Sequence, residues 1–139
     1  KTLHIIQNHL WPKREGIPSL EQINALNYLK NMLDTHYTHS VSRYLKKAVI
    51  WVDEESQEQY KKAFFSLNYT EQASLLKSIN NTPWGEGILS TILTRTIIEP
   101  LLCDPLYTQN SDSLGWKWLE HQAGFPRPSK PFWEMHKNV

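Results

Sequence analysis

Cysteine is nearly absent from this chain: Cys103 stands alone, so no intrachain disulfide can form and no zinc or iron–sulfur site can be built from thiolates. In a reducing compartment such a residue is a small buried hydrophobe; in an oxidising one an odd cysteine invites an intermolecular bond. Long apolar runs are missing too. No stretch approaches the roughly 18 residues that span a bilayer, so no direct membrane span is expected. Nor is there an excess of charge of one sign. Fifteen Lys and Arg stand against fourteen Asp and Glu, a net charge of +1, which gives no global field to draw in nucleic acid or an anionic membrane. The pairs Lys46-Lys47 and Lys61-Lys62 lie near Glu54, Glu55 and Glu58 and read as solvated helix faces. Lys1 opens directly into a helical pattern without a signal peptide, which implies a cytosolic protein or one whose leader has been removed.

The strings that mark common catalytic sites are also lacking. A Gly-x-Ser-x-Gly elbow does not occur. Gly85-Glu86-Gly87 starts like a dinucleotide fingerprint, but Ser90 replaces the third glycine and no strand precedes it, so it reads as a turn before a helix. No Glu is followed by His three residues on, the spacing by which helical bundles hold two irons. Glu99 and Asp104 could be assembled into an acid–base pair, although acidic residues more often cap helices or face solvent. His36 and His39 would share a face if their segment were helical. They are the weak candidates for a metal, and no third ligand is evident nearby. These features support no catalytic, cofactor or metal site in this chain.

What is present is a helical chain. Hydrophobic residues make up 40% of the 139 residues, and six are Trp; the length suits one domain with one core. Leu3, Ile6 and Leu10 share a helix face that Pro12 stops, and residues 12–18 form a loop. Ser19 opens a capping box with Gln22, and Leu20, Ile23, Leu26, Leu29 and Leu33 follow at helical spacing. Asp34 to Ser40 reads as a connection. From about Ser42 the apolar positions Leu45, Val49, Val52, Tyr60, Phe64 and Leu67 keep the helical period, as one long helix or as two with a break near Ser56. Asn68 or Thr70 caps the next helix, which carries Glu71 in its first turn and buries Leu75, Leu76 and Ile79.

After a turn at Asn80 to Pro83, Ile88, Leu89, Ile92, Leu93, Ile97 and Leu101 make the most apolar helix. Its place is central to the core, with a kink or end at Pro100, which cannot donate to the Thr96 carbonyl. A short helix from about Leu114 to Gln122 carries Trp116, Trp118 and Leu119, with Gly124 placed to terminate it. Pro126, Pro128 and Pro131 then give an extended tail. The expected architecture is all-α: a single domain over 1–139, with a bundle of about five to six helices over 1–124 and a tail over 125–139. Trp116, Trp118, Phe125, Phe132 and Trp133 either bring the tail back over the bundle or form an exposed patch suited to a protein partner.

The string Glu99-Pro100-Leu101-Leu102-Cys103-Asp104-Pro105-Leu106-Tyr107, followed by Asn110, Gly115-Trp116 and Gly124-Phe125-Pro126, resembles the signature of the gluconate 2-dehydrogenase small-subunit family. That family has an acidic residue near a helix end, then Asp-Pro-x-Tyr-Gly-Gly-Asn, Gly-Trp and a Gly-aromatic-Pro turn. Phe64 with Leu67, Glu71-Gln72 and Leu75-Leu76 is similar to its central stretch, and His9-Leu10-Trp11-Pro12 to the end of its first helix. One departure is plain: Thr108-Gln109 replaces the family's Gly-Gly, so a backbone conformation that only glycines allow is not expected there.

The resemblance implies a non-catalytic accessory subunit of a periplasmic flavin-dependent sugar or sugar-acid dehydrogenase. Its partner would be an FAD-bearing large subunit of the glucose-methanol-choline oxidoreductase class, in some complexes joined by a multihaem cytochrome c, which would tie the assembly to the inner membrane. The small subunit would carry the twin-arginine export signal and support folding and stability of the large one. The partner interface implied here comprises Cys103, Asp104, Pro105, Tyr107, Asn110, Trp116, Trp118, Phe125, Pro126 and Trp133. Asp104 and Asn110 would order the loop through backbone hydrogen bonds, and Cys103 would be placed for an intersubunit disulfide. The competing readings are a stand-alone helical binding or scaffold protein, and a metal protein built on His36 and His39.

Overall fold

A computed structural model describes residues 1–34, 39–105, 112–122 and 124. Among these the chain is all-α, with no strand. Seven α-helical segments follow one another: α1 (Thr2–Leu10), α2 (Ala25–Asp34), α3 (His39–Tyr60), α4 (Tyr69–Asn80), α5 (Gly85–Leu93), α6 (Glu99–Leu102) and α7 (Leu114–Trp118). A 3-10 turn at Phe64–Ser66 links α3 to α4, and a π turn at Thr94–Ile98 joins α5 to α6 as one bent rod. No helix among the described residues is long and apolar enough to cross a membrane.

The apolar helix expected at the centre is there. α5 packs against α1, α3 and α4, and Ile88 and Ile92 sit with Ile6, Leu45, Val52, Phe64, Leu75 and Ile79 in the main core. Each such side chain contributes roughly 1.5–3 kcal/mol by leaving water. A smaller core gathers Leu20, Ile23, Ala25, Ile97 and Leu101, with Leu10, Trp11 and Leu93 against it.

Several boundaries differ from expectation for local reasons. The Ser19 capping box forms, with the Ser19 amide donating to Gln22 Oε1 at 2.8 Å. The helix it opens nevertheless lasts a single turn. Asn24 takes φ of 53°, and the Ala25 and Asn24 amides donate back to the Leu20 and Glu21 carbonyls, a Schellman closure before α2 begins. Asn is the side chain that most readily replaces glycine in this conformation.

α3 runs unbroken through Ser56, which is buried and donates to the Lys62 carbonyl at 2.7 Å. The break comes at Lys61, φ 55°, whose amide donates to the Gln57 carbonyl. α3 also starts at His39 rather than after Ser40, with the Ser42 hydroxyl bonded to the Leu33 carbonyl. Asn68 caps α4 in a full capping box with Glu71. Gly124 does not end α7; Glu120 does, at φ 53°, with the His121 and Glu120 amides reaching back to the Trp116 and Lys117 carbonyls.

Two buried polar knots tie the N-terminal helix down. Gln72 spends both amide hydrogens on the Phe64 and Leu67 carbonyls, at 3.3 and 3.0 Å, so its oxygen accepts from His9 Nε2 at 3.0 Å. The His9 ring stacks on Tyr69. The second knot is Gln7, fully buried, whose Nε2 donates to the Thr96 carbonyl at 3.2 Å and to Thr96 Oγ1 at 3.0 Å. The Thr96 carbonyl is the one that the N–H of residue 100 would serve in a regular helix, and Pro100 has no N–H. The wide π turn and the Gln7 side chain together accommodate that loss.

Candidate partner-binding face at the α6–α7 junction

Pro100 decides where this face lies. By widening the helix one turn earlier, it lets α6 leave the line of α5 and drive Leu101 into the smaller core. α7 then lies directly on α6. Gly115 makes the approach possible, because the Leu101 carbonyl occupies the place a Cβ would take. Trp116 clamps the seam, its indole N–H donating to the Leu102 carbonyl at 2.7 Å, and its ring meets His121 edge-on. From the other side, Trp11 donates to the Pro18 carbonyl at 2.9 Å and presents its ring edge-on to Trp118 at 6.2 Å.

This packing leaves apolar surface in water at the junction, as Ile50, Tyr69 and Trp84 do elsewhere on the chain. Leu119 is 51% exposed, Trp118 39% and Leu102 37%. Leu102, Trp116, Leu119, Glu120, His121 and Gln122 line an open groove of about 720 Å³. A second groove, between Pro18 and Trp118, continues the surface towards the 12–18 loop. Leu102 and Leu119 give the first groove its apolar part beside the polar Glu120, His121 and Gln122, and Trp118 lines the second; exposed large apolar side chains of this kind serve as anchors in protein interfaces.

Of the residues singled out from sequence, Cys103, Asp104, Pro105, Trp116 and Trp118 meet at this junction, the first four partly buried and Trp118 exposed. Tyr107, Asn110, Phe125, Pro126 and Trp133 lie outside the described residues, as do the 125–139 tail and His36. His39 is the exposed first residue of α3, and among the described residues no three His, Cys, Asp or Glu side chains gather as a metal site. Leu102 belongs to the bend from Pro100 to Asn110 and Leu119 to the helix around Trp116 and Trp118, both expected at the interface, whereas Trp11 is part of the face with no signal in the sequence but its position beside Pro12.

Glu99 does not stand free as half of an acid–base pair. It accepts from the Tyr28 hydroxyl, and it faces Arg95 at 3.5 Å in an exposed pairing of small worth. Burial first, then the Glu99 charge, holds the Tyr28 proton well above the ordinary phenol range. The Cys103 thiol is likewise pushed up, by burial first and then by Glu99 and Asp104. A thiol so placed is a poor nucleophile near neutral pH, because the thiolate is the reactive form. Iodoacetamide should therefore modify Cys103 in the folded protein several-fold more slowly than free glutathione at pH 7.5, and at the ordinary rate once guanidinium unfolds the chain. Equal rates in both states would remove this electrostatic picture.

No curated protein and no solved structure shows a significant match. A family model described as gluconate 2-dehydrogenase subunit 3 matches residues 1–124, thus including α1 to α7 and the junction just described. With nine-tenths of its length covered by that model, the chain belongs to the gluconate 2-dehydrogenase subunit 3 family.

Proposed function

We propose that the chain is the non-catalytic small subunit of a periplasmic flavin-dependent sugar or sugar-acid dehydrogenase, and that the α6–α7 face docks on the large flavoprotein subunit. The observation that carries this reading is the family match across residues 1–124. The exposed apolar surface at the junction supports it. In this reading the large subunit holds FAD and oxidises the substrate, and a cytochrome c, where present, passes the electrons on. The small subunit stabilises the folded, cofactor-loaded partner during twin-arginine export, a task that requires an interface formed before translocation. Leu102, Trp118 and Leu119 supply apolar anchors, while Cys103, Asp104 and Pro105 shape the adjoining bend.

The test is affinity purification of the tagged protein from its native host, followed by a flavin absorbance scan and a sugar-dependent dye-reduction assay of what accompanies it. A stoichiometric flavoprotein with such activity is the expected result. Trp118→Ala should weaken that association by about 2 kcal/mol, roughly 30-fold, with little change in thermal midpoint because the side chain is already half in water. A chain that purifies without a flavoprotein, or a Trp118→Ala variant that retains its partner fully, would overturn the proposal.

A further inference from the structure

The outward face of α3 carries a charge order that works against its own helix. Leu45, Ala48, Val52 and Ser56 point into the core. Opposite them, Arg43, Lys47, Ile50, Glu54 and Gln57 follow at alternating steps of four and three residues, with Glu58 beside the last, and all six are exposed. A helix dipole favours acids near its N-terminus and bases near its C-terminus. Here the bases occupy the first half and the acids the second, and α3 has no acid in its first turn and no base in its last. Arg43 with Lys47, and Glu54 with Glu58, are like charges one turn apart, an arrangement that destabilises an isolated helix. Among the described residues the ion pair made is Arg95 with Glu99, and none of these four takes part in one. At the centre sits Ile50, 59% exposed and apolar.

This pattern is its own complement when reversed. We propose that the face seats a second copy of the chain, with the two α3 helices antiparallel about a twofold axis near Ile50. Arg43 of one copy then faces Glu58 of the other, and Lys47 faces Glu54, each pair occurring twice because a twofold interface is isologous. The two Ile50 side chains meet at the axis and leave water together. The three-four spacing keeps the stripe on one face of the helix, so its charges can meet a facing helix together. Reversal also sets each helix dipole against the other, so that every local repulsion in the single helix gains an opposite charge across the interface. On one flank Trp51 lies in ring contact with Trp84, and Tyr44 adjoins α5 at Gly87, which gives the stripe a firm border. Pairs of this kind are individually weak and screened by salt, so the dimer is a low-affinity one that ionic strength dissociates. It uses a surface separate from the α6–α7 face and does not rest on the accessory-subunit reading.

Sedimentation velocity of the full chain over a concentration series, at low and high salt, provides the test. The expected result is a monomer–dimer equilibrium that weakens as salt rises. Lys47→Glu sets acid against acid twice, and Glu54→Lys sets base against base twice. Each should raise the dimer dissociation constant roughly tenfold or more. Neither change threatens the fold, since each creates an opposite-charge pair with its neighbour one turn away, and circular dichroism checks this. An equimolar mixture of the two variants should dimerise again, because the acid introduced at position 47 faces the base introduced at position 54. Monomers at every concentration in low salt, a dimer indifferent to both substitutions, or variants that do not recover on mixing would each overturn the proposal.

Discussion

Valine in place of Gly115 should abolish capture of the proposed flavoprotein partner while leaving the main core folded. The added Cβ would fall on the Leu101 carbonyl, and that carbonyl cannot yield cheaply because the Leu101 side chain is 1% exposed in the smaller core. Forcing extra atoms into packed structure costs about 1–3 kcal/mol. The alternative is for α7 to lift away. It has five residues, and its lifting forfeits the Trp116 bond to Leu102, a net loss of about 1 kcal/mol, plus the burial of one indole face. The local release is the cheaper response. The thermal midpoint should then fall by only a few degrees and the far-ultraviolet dichroism persist, while the near-ultraviolet tryptophan signal changes and partner affinity drops at least about 100-fold. Gly115→Ala should act in the same direction more mildly. Full capture by the valine variant would show that the partner reads some other surface.

Elements bounded by residues with a strong local preference were legible in the sequence. Pro12 stops α1, the Asn68–Glu71 pair opens α4, and Ile88 to Leu101 forms the central rod as its unbroken apolar pattern requires. Boundaries set by backbone conformations that the residue type does not advertise were not legible. Asn24, Lys61 and Glu120 all close helices at positive φ without being glycine, and helical periodicity runs straight through such points because it records burial rather than hydrogen bonding. Gly124 looked the natural stop for α7, yet the Schellman bonds form four residues earlier at Glu120. Those bonds depend on α7 being held against α6, which is a tertiary fact.

The candidate face was half legible for a related reason. Trp116 and Trp118 announce themselves by type, and the Glu99–Tyr107 string by its likeness to a family. That Trp116 serves as a clamp while Trp118 stays half exposed follows from a glycine of ordinary φ, whose role is a close approach and not a turn. Nothing in the sequence distinguishes those two uses of glycine. In the sequence the charge order of α3 shows only as Lys46-Lys47 near Glu54, Glu55 and Glu58, which reads as solvated surface. Its reversed complementarity has meaning only once Ser56 is known to lie inside one continuous helix, so that 43 to 58 share a rigid face.

The largest effect on stability is expected from Gln7→Leu. The substitution keeps most of the side-chain volume and removes two donors from a site with no access to water. The Thr96 carbonyl and hydroxyl each lose a partner in an apolar interior, at about 1–3 kcal/mol per buried polar group left short. A total loss of about 2–4 kcal/mol should appear in denaturant unfolding as a lower midpoint with an unchanged slope. The physical cause proposed here is specific, because Gln7 serves the carbonyl that Pro100 cannot reach. Pro100→Ala returns an N–H to that position, so the helix can supply its own donor. In the Pro100→Ala background the Gln7→Leu penalty should therefore shrink by about 1 kcal/mol or more, although the two residues lie on different helices. Strict additivity of the two substitutions would mean that Gln7 stabilises the fold only by filling space. Coupling would identify α1 as the element that makes the bend before Pro100 tenable, and with it the placement of α6 on which the candidate face is built.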